Sequence, residues 1–216
     1  YKKSVLLSNK NFYNFYITTD FATSAKQSAD YSVISVWAIN SNGDFFWVDG
    51  QCKRTTMDNN IDKLFQLVQK YQPQAVGVEV TGQQGAFIQW LQKEMMLRNI
   101  WFSFATSGNN NAPGIRPVAD KLSRFNLVVP WFKSGKMYYP TDMRRSPVVE
   151  LHMEQLRLVT SSGIKGKDDV IDTISMLGYL KPWKPSDSIA GSPQENNYWE
   201  AELNSGPVSS LSSYIV

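Results

Sequence analysis

Two short runs place carboxylates where a folding chain seldom leaves them. Asn14–Asp20, Asn-Phe-Tyr-Ile-Thr-Thr-Asp, alternates with period two, is rich in aromatic and β-branched side chains, and ends on Asp20. That is the pattern of a strand. Residues 75–80, Ala-Val-Gly-Val-Glu-Val, set Glu79 inside an apolar run, and a lone acid buried in a strand is costly. If the two strands lie parallel and adjacent, about 4.8 Å apart, both acids emerge at one edge of the sheet. A divalent cation could hold them together there.

The segments around these runs fix the architecture. Residues 31–40 form a second apolar run, Asn42-Gly43 supplies a positive-φ pair for a tight hairpin, and residues 44–48 return as a third strand. Asp58 is placed to cap a helix whose Ile61, Leu64, Phe65 and Val68 form one stripe, closed before Pro73. After the strand with Glu79, Gly82 and Gly85 open a helix with Phe87, Ile88, Leu91 and Met95 on one face. Residues 100–105 read as a fifth strand.

The order β-β-β-α-β-α-β predicts an α/β fold: a mixed five-stranded sheet, a three-stranded antiparallel meander plus two parallel strands, with helices on both faces. This is the element order of a ribonuclease H-like fold. Residues 106–117, with three consecutive Asn and Pro113-Gly114, read as a mobile loop. Helices follow over about 118–127 and 148–159, with a short extended stretch at 136–139 between them, and residues 161–166 break the pattern. The last long helix spans 167–180, buries Val170, Ile174 and Leu177, and carries Asp168, Asp169 and Asp172 at its start. From Pro182 the chain turns to Pro, Ser, Gly and Asn. The domain is expected over 1–184, with 185–216 a loosely ordered tail.

Charge is informative in its distribution. The 22 basic and 19 acidic groups nearly balance, but residues 116–184 carry 12 basic against 7 acidic, and 185–216 carry 0 against 4. Cys52 is the sole cysteine, which excludes an intramolecular disulfide and argues against a cysteine zinc site. No apolar run approaches the roughly 18 residues that span a bilayer, and no signal peptide is evident, so no membrane association is expected. The chain begins at Tyr1 without Met, as an excised piece of a longer protein would.

Each acid has a structural explanation when taken singly. Asp20 suits a turn, Glu79 could pair with an Arg or Lys, and Asp168 and Asp169 favour a helix N-terminus. Asp172 lies i+4 from Asp168 and i+3 from Asp169, so like charges crowd one helix end. Together they read otherwise: oxygen-only ligands on two strand ends and a late helix select Mg²⁺ or Mn²⁺. Two such ions about 3.5–4 Å apart catalyse in-line phosphodiester displacement. His152 reads as structural, since that chemistry needs no His base, and Cys52 as a small packing residue.

Over residues 17–180 the chain resembles the nuclease domain of the large terminase subunit of tailed bacteriophages, the DNA-packaging enzyme. Asp20 with Asp30-Tyr31-Ser32 looks like its first motif and Val78-Glu79 like its second. Lys121 to Arg124 leading to Gly135-Lys136-Met137-Tyr138 looks like its basic middle, and Lys167-Asp168-Asp169-Val170-Ile171-Asp172 like its last. Lys167 stands where the family often has His. The resemblance implies a metal-dependent endonuclease that cuts concatemeric viral DNA during packaging. Asp20, Glu79 and Asp169 would be catalytic and hold two Mg²⁺ or Mn²⁺ ions, with Asp30, Asp168 and Asp172 in support. Lys121, Arg124, Lys136, Arg144, Arg145, Lys165 and Lys167 are expected to bind double-stranded DNA.

By the same resemblance an N-terminal ATPase domain, the portal and the small terminase subunit are partners, and the host cytoplasm is the setting. No G-x-x-x-x-G-K-[ST] phosphate loop occurs in this chain, so it carries no ATPase site of that type. The alternatives are a non-catalytic DNA-binding or motor-docking module on the same fold, or a resolvase- or integrase-like nuclease.

Overall fold

The computed structural model describes residues 1–22, 30–80, 85–160 and 162–186, without the side chains of residues 85 and 86. Expectations for residues 23–29, for Gly82, for Ser161 and for the tail beyond residue 186 lie outside the described residues.

Helix α1 (Lys3–Ser8) leads to strands β1 (Asn14–Asp20), β2 (Ser32–Ile39) and β3 (Phe45–Lys53), helix α2 (Met57–Tyr71), strand β4 (Ala75–Val78) and helix α3 (Gly85–Arg98). Then come β5 (Thr106–Ser107), β6 (Gly114–Ile115), α4 (Lys121–Asn126), α5 (Val129–Lys133), β7 (Met137–Tyr138), α6 (Pro147–Arg157), β8 (Val159–Thr160), β9 (Gly163–Ile164) and α7 (Asp169–Leu180). The main sheet has the order β4-β1-β2-β3-β7. β1, β2 and β3 are antiparallel; β4 joins β1 and β7 joins β3 in parallel. This is the expected mixed five-stranded, ribonuclease H-like sheet.

Both faces of the sheet are buried, and alternation along the strands decides which side chain meets which layer. Phe15 and Ile17 of β1, Ile34, Val36 and Ala38 of β2, and Val76 and Val78 of β4 face α2 and α3. Tyr16 of β1, Val33, Trp37 and Ile39 of β2, and Ala75 of β4 face the layer of α4, α6 and α7. A polar seam crosses that second face: Trp37 Nε1 donates to Thr18 Oγ1 at 3.1 Å, Trp47 Nε1 to Ser35 Oγ at 3.3 Å, and Ser35 Oγ lies 3.5 Å from Thr173 Oγ1 of α7. Gly77 lets α7 come close, since a Cβ there would sit 2.7 Å from both Leu180 and Met176.

Several local expectations change. The fifth strand of the sheet is β7, on the far edge, whereas Phe104 in the 100–105 run makes only a single bridge to Val76. The β2–β3 turn closes with Gly43 N donating to Asn40 O at 3.0 Å, and Gly43 alone takes positive φ, 75°, while the Asn40 side chain binds Asp44 and so fixes the turn without a second residue at positive φ. Thr56, not Asp58, caps α2, accepting from Asn59 N; Asp58 sits in the first turn. The 106–117 loop contains β5 and β6, and its Ile115 is fully buried because β6 lies beside Val80 and Glu79. The expected helix at 118–127 is the shorter α4, with Asp120 capping it through Ser123 N, and α5 follows as a further helix beyond the expected range. Asp168 makes no capping bond to α7.

Candidate active site

Asp20 and Glu79 are brought together by register. In the parallel ladder Thr19 pairs with Val78, so the next residue on each strand is an acid. The strand alternation that sends Tyr16 and Ala75 to the α7 layer sends Asp20 and Glu79 to it as well. Glu79 is fixed by a parallel bridge to Ile115, with Val80 N donating to Ile115 O at 2.8 Å. Thr19 Oγ1 donates to Gly77 O at 3.0 Å and ties the two strands just below the acids.

The N-terminus of α7 supplies the opposing carboxylates. Asp169 and Asp172 are buried, and Val170 N donates to Gln155 Oε1 of α6 at 2.8 Å, which anchors this end of the helix. Burial raises the Asp169 carboxyl against a lowering bond from the Tyr31 backbone, and its Oδ2 is a buried oxygen with no hydrogen-bond partner. Burial also raises Asp172, although Arg124 and Lys121 oppose the shift. Asp20 is pushed up to about 8, by burial first and then by the negative charges of Asp172, Glu79 and Asp169. Four carboxylates therefore share one electrostatic environment.

Two cations from α4 reach into it. Arg124, buried and on the face of α4 toward α7, donates from Nη1 to Glu79 Oε2 at 3.2 Å and from Nη2 to Asp172 Oδ1 at 2.9 Å. Lys121, one turn earlier and half exposed, lies 2.6 Å from Asp168 Oδ2 and 3.0 Å from Asp172 Oδ2. Burial would lower the Lys121 ammonium, but its bonds to these two acids raise it overall.

An all-carboxylate donor set suits a hard divalent cation, and the unpartnered Asp169 oxygen and the strained protonation of Asp20 are what a cation would relieve. The residues fit such an ion in kind. In position, no three acids among the described residues form a metal-holding cluster; Glu79 and Asp172 are paired with the α4 cations.

Residues 17–178 match the family of the terminase RNaseH-like domain. The chain belongs to that family. This terminase RNaseH-like domain shares its fold with the human cytomegalovirus terminase nuclease domain, solved after a Mn soak with an inhibitor bound: identity is 16% and the TM-score 0.57, over 81% of this chain and 87% of that one. The large terminase nuclease from thermophilic phage G20c, with bound zinc, aligns at 18% identity and a TM-score of 0.52 over 79% and 82% of the two chains. The P22 large terminase nuclease domain aligns at 12% and 0.52 over 83% and 87%. At these identities the likeness is one of fold. No curated protein sequence matches the chain.

Within this terminase RNaseH-like domain, Asp20, Glu79, Asp169, Asp168 and Asp172 gather at one sheet edge. Asp30 lies near them, exposed, and accepts from Lys167 Nζ at 3.2 Å. The basic residues divide. Lys121 and Arg124 face the acids, and Lys165 and Lys167 lie on the loop that enters α7. Lys136 is at the other end of the sheet: it precedes β7, whose Met137 pairs with Phe45, in register with Ile39 and Asn14, about 20 Å along the strand from Asp20. There it binds Asn42 O and Asp44. Arg144 and Arg145 are exposed before α6, at the end remote from Gln155.

His152 is fully buried against Trp47 and Tyr139, and burial lowers it to about 3. It packs as a neutral ring, as expected. Cys52 is buried on the same face, its thiol pushed up to about 12. The role of Lys121 and Arg124 as counter-charges was missed from sequence. A signal existed, since their i, i+3 spacing on a short capped helix complements the spacing of Asp168 and Asp172.

Proposed function

We propose that this chain is the nuclease of a DNA-packaging terminase, an endodeoxyribonuclease that cuts concatemeric viral DNA. The observation that carries the reading is the juxtaposition of Asp20 and Glu79, at matching positions on adjacent strands, with Asp169 and Asp172 of α7 on a ribonuclease H-like sheet. Asp20, Glu79 and Asp169 are the metal ligands and catalytic residues; Asp30, Asp168 and Asp172 orient them. Two Mg²⁺ or Mn²⁺ ions held there would activate water and stabilise the leaving oxygen of a phosphodiester.

The chain's own residues do the rest. The strand ladder fixes two carboxylates at one height, α7 brings a third whose oxygen is kept from other partners, and the surrounding apolar layer limits water around them. Lys165 and Lys167, with Arg144, Arg145 and Lys136 farther along, contact DNA phosphates without reading sequence. The functional unit is residues 1–184, working in the infected host's cytoplasm beside an ATPase motor, the portal and the small terminase subunit. A non-catalytic module is the competing reading, favoured by the ion pairs that Arg124 and Lys121 make with Glu79, Asp168 and Asp172. Supercoiled plasmid separates the two: nicking with Mn²⁺ that stops with chelator and in Asp169→Asn supports the nuclease, and no nicking over a range of Mn²⁺ supports the module.

A further inference from the structure

The α4 cations occupy carboxylates that a metal ion would need. Arg124 is the most enclosed cation of the site, with its side chain 10% exposed, and it faces Asp172, 9% exposed, and Glu79, 22% exposed. Both oxygens of Asp172 are engaged, Oδ1 by Arg124 and Oδ2 by Lys121. A guanidinium cannot shed its proton in a protein, so this charge stays wherever the side chain goes. Yet the pairing is incomplete. Arg124 makes one bond to each acid rather than a two-point fork to either, and its Nε is buried without a partner. A buried pair of this kind gains little over its desolvation cost, and so can be exchanged for another cation. Asp169 Oδ2 is left with no partner at all.

Resting on the reading of Glu79 as a metal ligand and of Asp172 as its support, we propose that Arg124 is a positioning residue that acts as a tethered counter-ion. It holds Glu79 and Asp172 in the metal-free protein and must release them for a divalent cation to bind. The geometry supplies the competition. Glu79 and Asp172 come from opposite walls of the site, β4 and α7, and Arg124 spans them as a shared cation would. Its release frees Glu79 and the Oδ1 of Asp172 to turn toward the unpartnered oxygen of Asp169. Lys121 does less, because its half-exposed ammonium is screened and its main partner, Asp168, is outside the buried set.

Competition for shared ligands is a coupling free energy, and it runs both ways. Removing Arg124 tightens cation binding; binding the cation displaces Arg124. The 216-residue chain, as wild type, Arg124→Gln, Arg124→Lys and Lys121→Gln, is titrated with Mn²⁺ by calorimetry after circular dichroism has established folding. Arg124→Gln should melt earlier without metal and bind Mn²⁺ about tenfold more tightly, within the usual range for coupled sites. Arg124→Lys, whose single point charge serves one acid at a time, should fall between it and wild type, and Lys121→Gln should change affinity less than Arg124→Gln.

A second measurement needs no variant: in ¹⁵N-labelled wild type the Arg124 side-chain Nε–H resonance should shift on addition of diamagnetic Mg²⁺. An equal or weaker Mn²⁺ affinity in folded Arg124→Gln, or an Arg124 resonance that stays in place as Mg²⁺ saturates the site, overturns the proposal while leaving the nuclease reading intact. Wild type that binds no Mn²⁺ overturns both.

Discussion

Asp20 and Glu79 stand one step beyond the rung formed by Thr19 and Val78, the last that joins β1 to β4. The two carboxylates therefore share a height and a face, set by backbone hydrogen bonds rather than by contacts of their own. Asp20→Asn and Glu79→Gln keep volume and ladder but remove a charge. Each should abolish plasmid cleavage with an unchanged circular dichroism spectrum. Wild-type rates in both would remove the proposed site.

The α7 acids should separate by burial and by partner. Asp169 is 4% exposed with an unpartnered oxygen, whereas Asp168 is partly exposed and paired with Lys121, and Asp172, though buried, has both oxygens paired with Lys121 and Arg124. Asp169→Asn should lose all measurable cleavage at any Mn²⁺ concentration. Asp168→Asn and Asp172→Asn should lose about 10–100-fold, as supporting groups do, and recover partly at high metal. Single-turnover cleavage across a Mn²⁺ series decides, and an active Asp169→Asn beside a dead Asp168→Asn would transfer the ligand role to Asp168.

Without metal, Asp20 should make stability fall as pH rises. Its folded carboxyl titrates at about 8 against 3.8 for the free side chain. Between about pH 4 and 8 the folded state holds a proton that the unfolded state has lost, so the contribution is full below the lower value and gone above the upper. Melting temperatures in chelator should therefore drop across this window more in wild type than in Asp20→Asn, whose amide mimics the protonated acid. Parallel curves would mean that burial and the neighbouring acids do not raise the Asp20 carboxyl in solution.

Gly114 supports Glu79 from beneath. Its φ is 101°, and an added Cβ would lie 2.5 Å from Val80 Cγ1, the residue after Glu79. Gly114→Ala should cost about 1–3 kcal/mol by urea unfolding, from strain and overpacking together. Cleavage should fall with it, because the Glu79–Ile115 bridge is what shifts. Unchanged stability would show that β6 moves away without consequence.

DNA binding should be tolerant of sequence and steeply dependent on salt. Lys165→Ala combined with Lys167→Ala should reduce the slope of log K against log salt by about two, one for each phosphate no longer neutralised. Fluorescence anisotropy with two unrelated duplexes measures it. A slope equal to wild type would exclude the loop before α7 from the DNA path.

Local pattern was enough to place the strands, the main helices and the acids. Period-two runs such as Asn14–Asp20 and helical stripes such as Ile61, Leu64, Phe65 and Val68 are written in neighbouring residues, and the alternation that buries Tyr16 and Ala75 on one face also fixes where Asp20 and Glu79 point. Caps and turns were less legible, because Thr56 and Asp58 are both good capping residues and only the chain's path into α2 chooses between them. The fifth strand of the main sheet was legible only as an extended stretch at 136–139; its place in the sheet was not. Residues 100–105 are as strand-like as many true strands, yet β7, two residues long, completes the sheet because Phe45 and Phe46 offer it an edge. Arg124 shows the same limit most sharply. Whether a basic side chain faces phosphate or a neighbouring carboxylate depends on which helix packs against which, and the packing of α4 on α7, made by residues 48 apart in sequence, exists only once the whole sheet has formed.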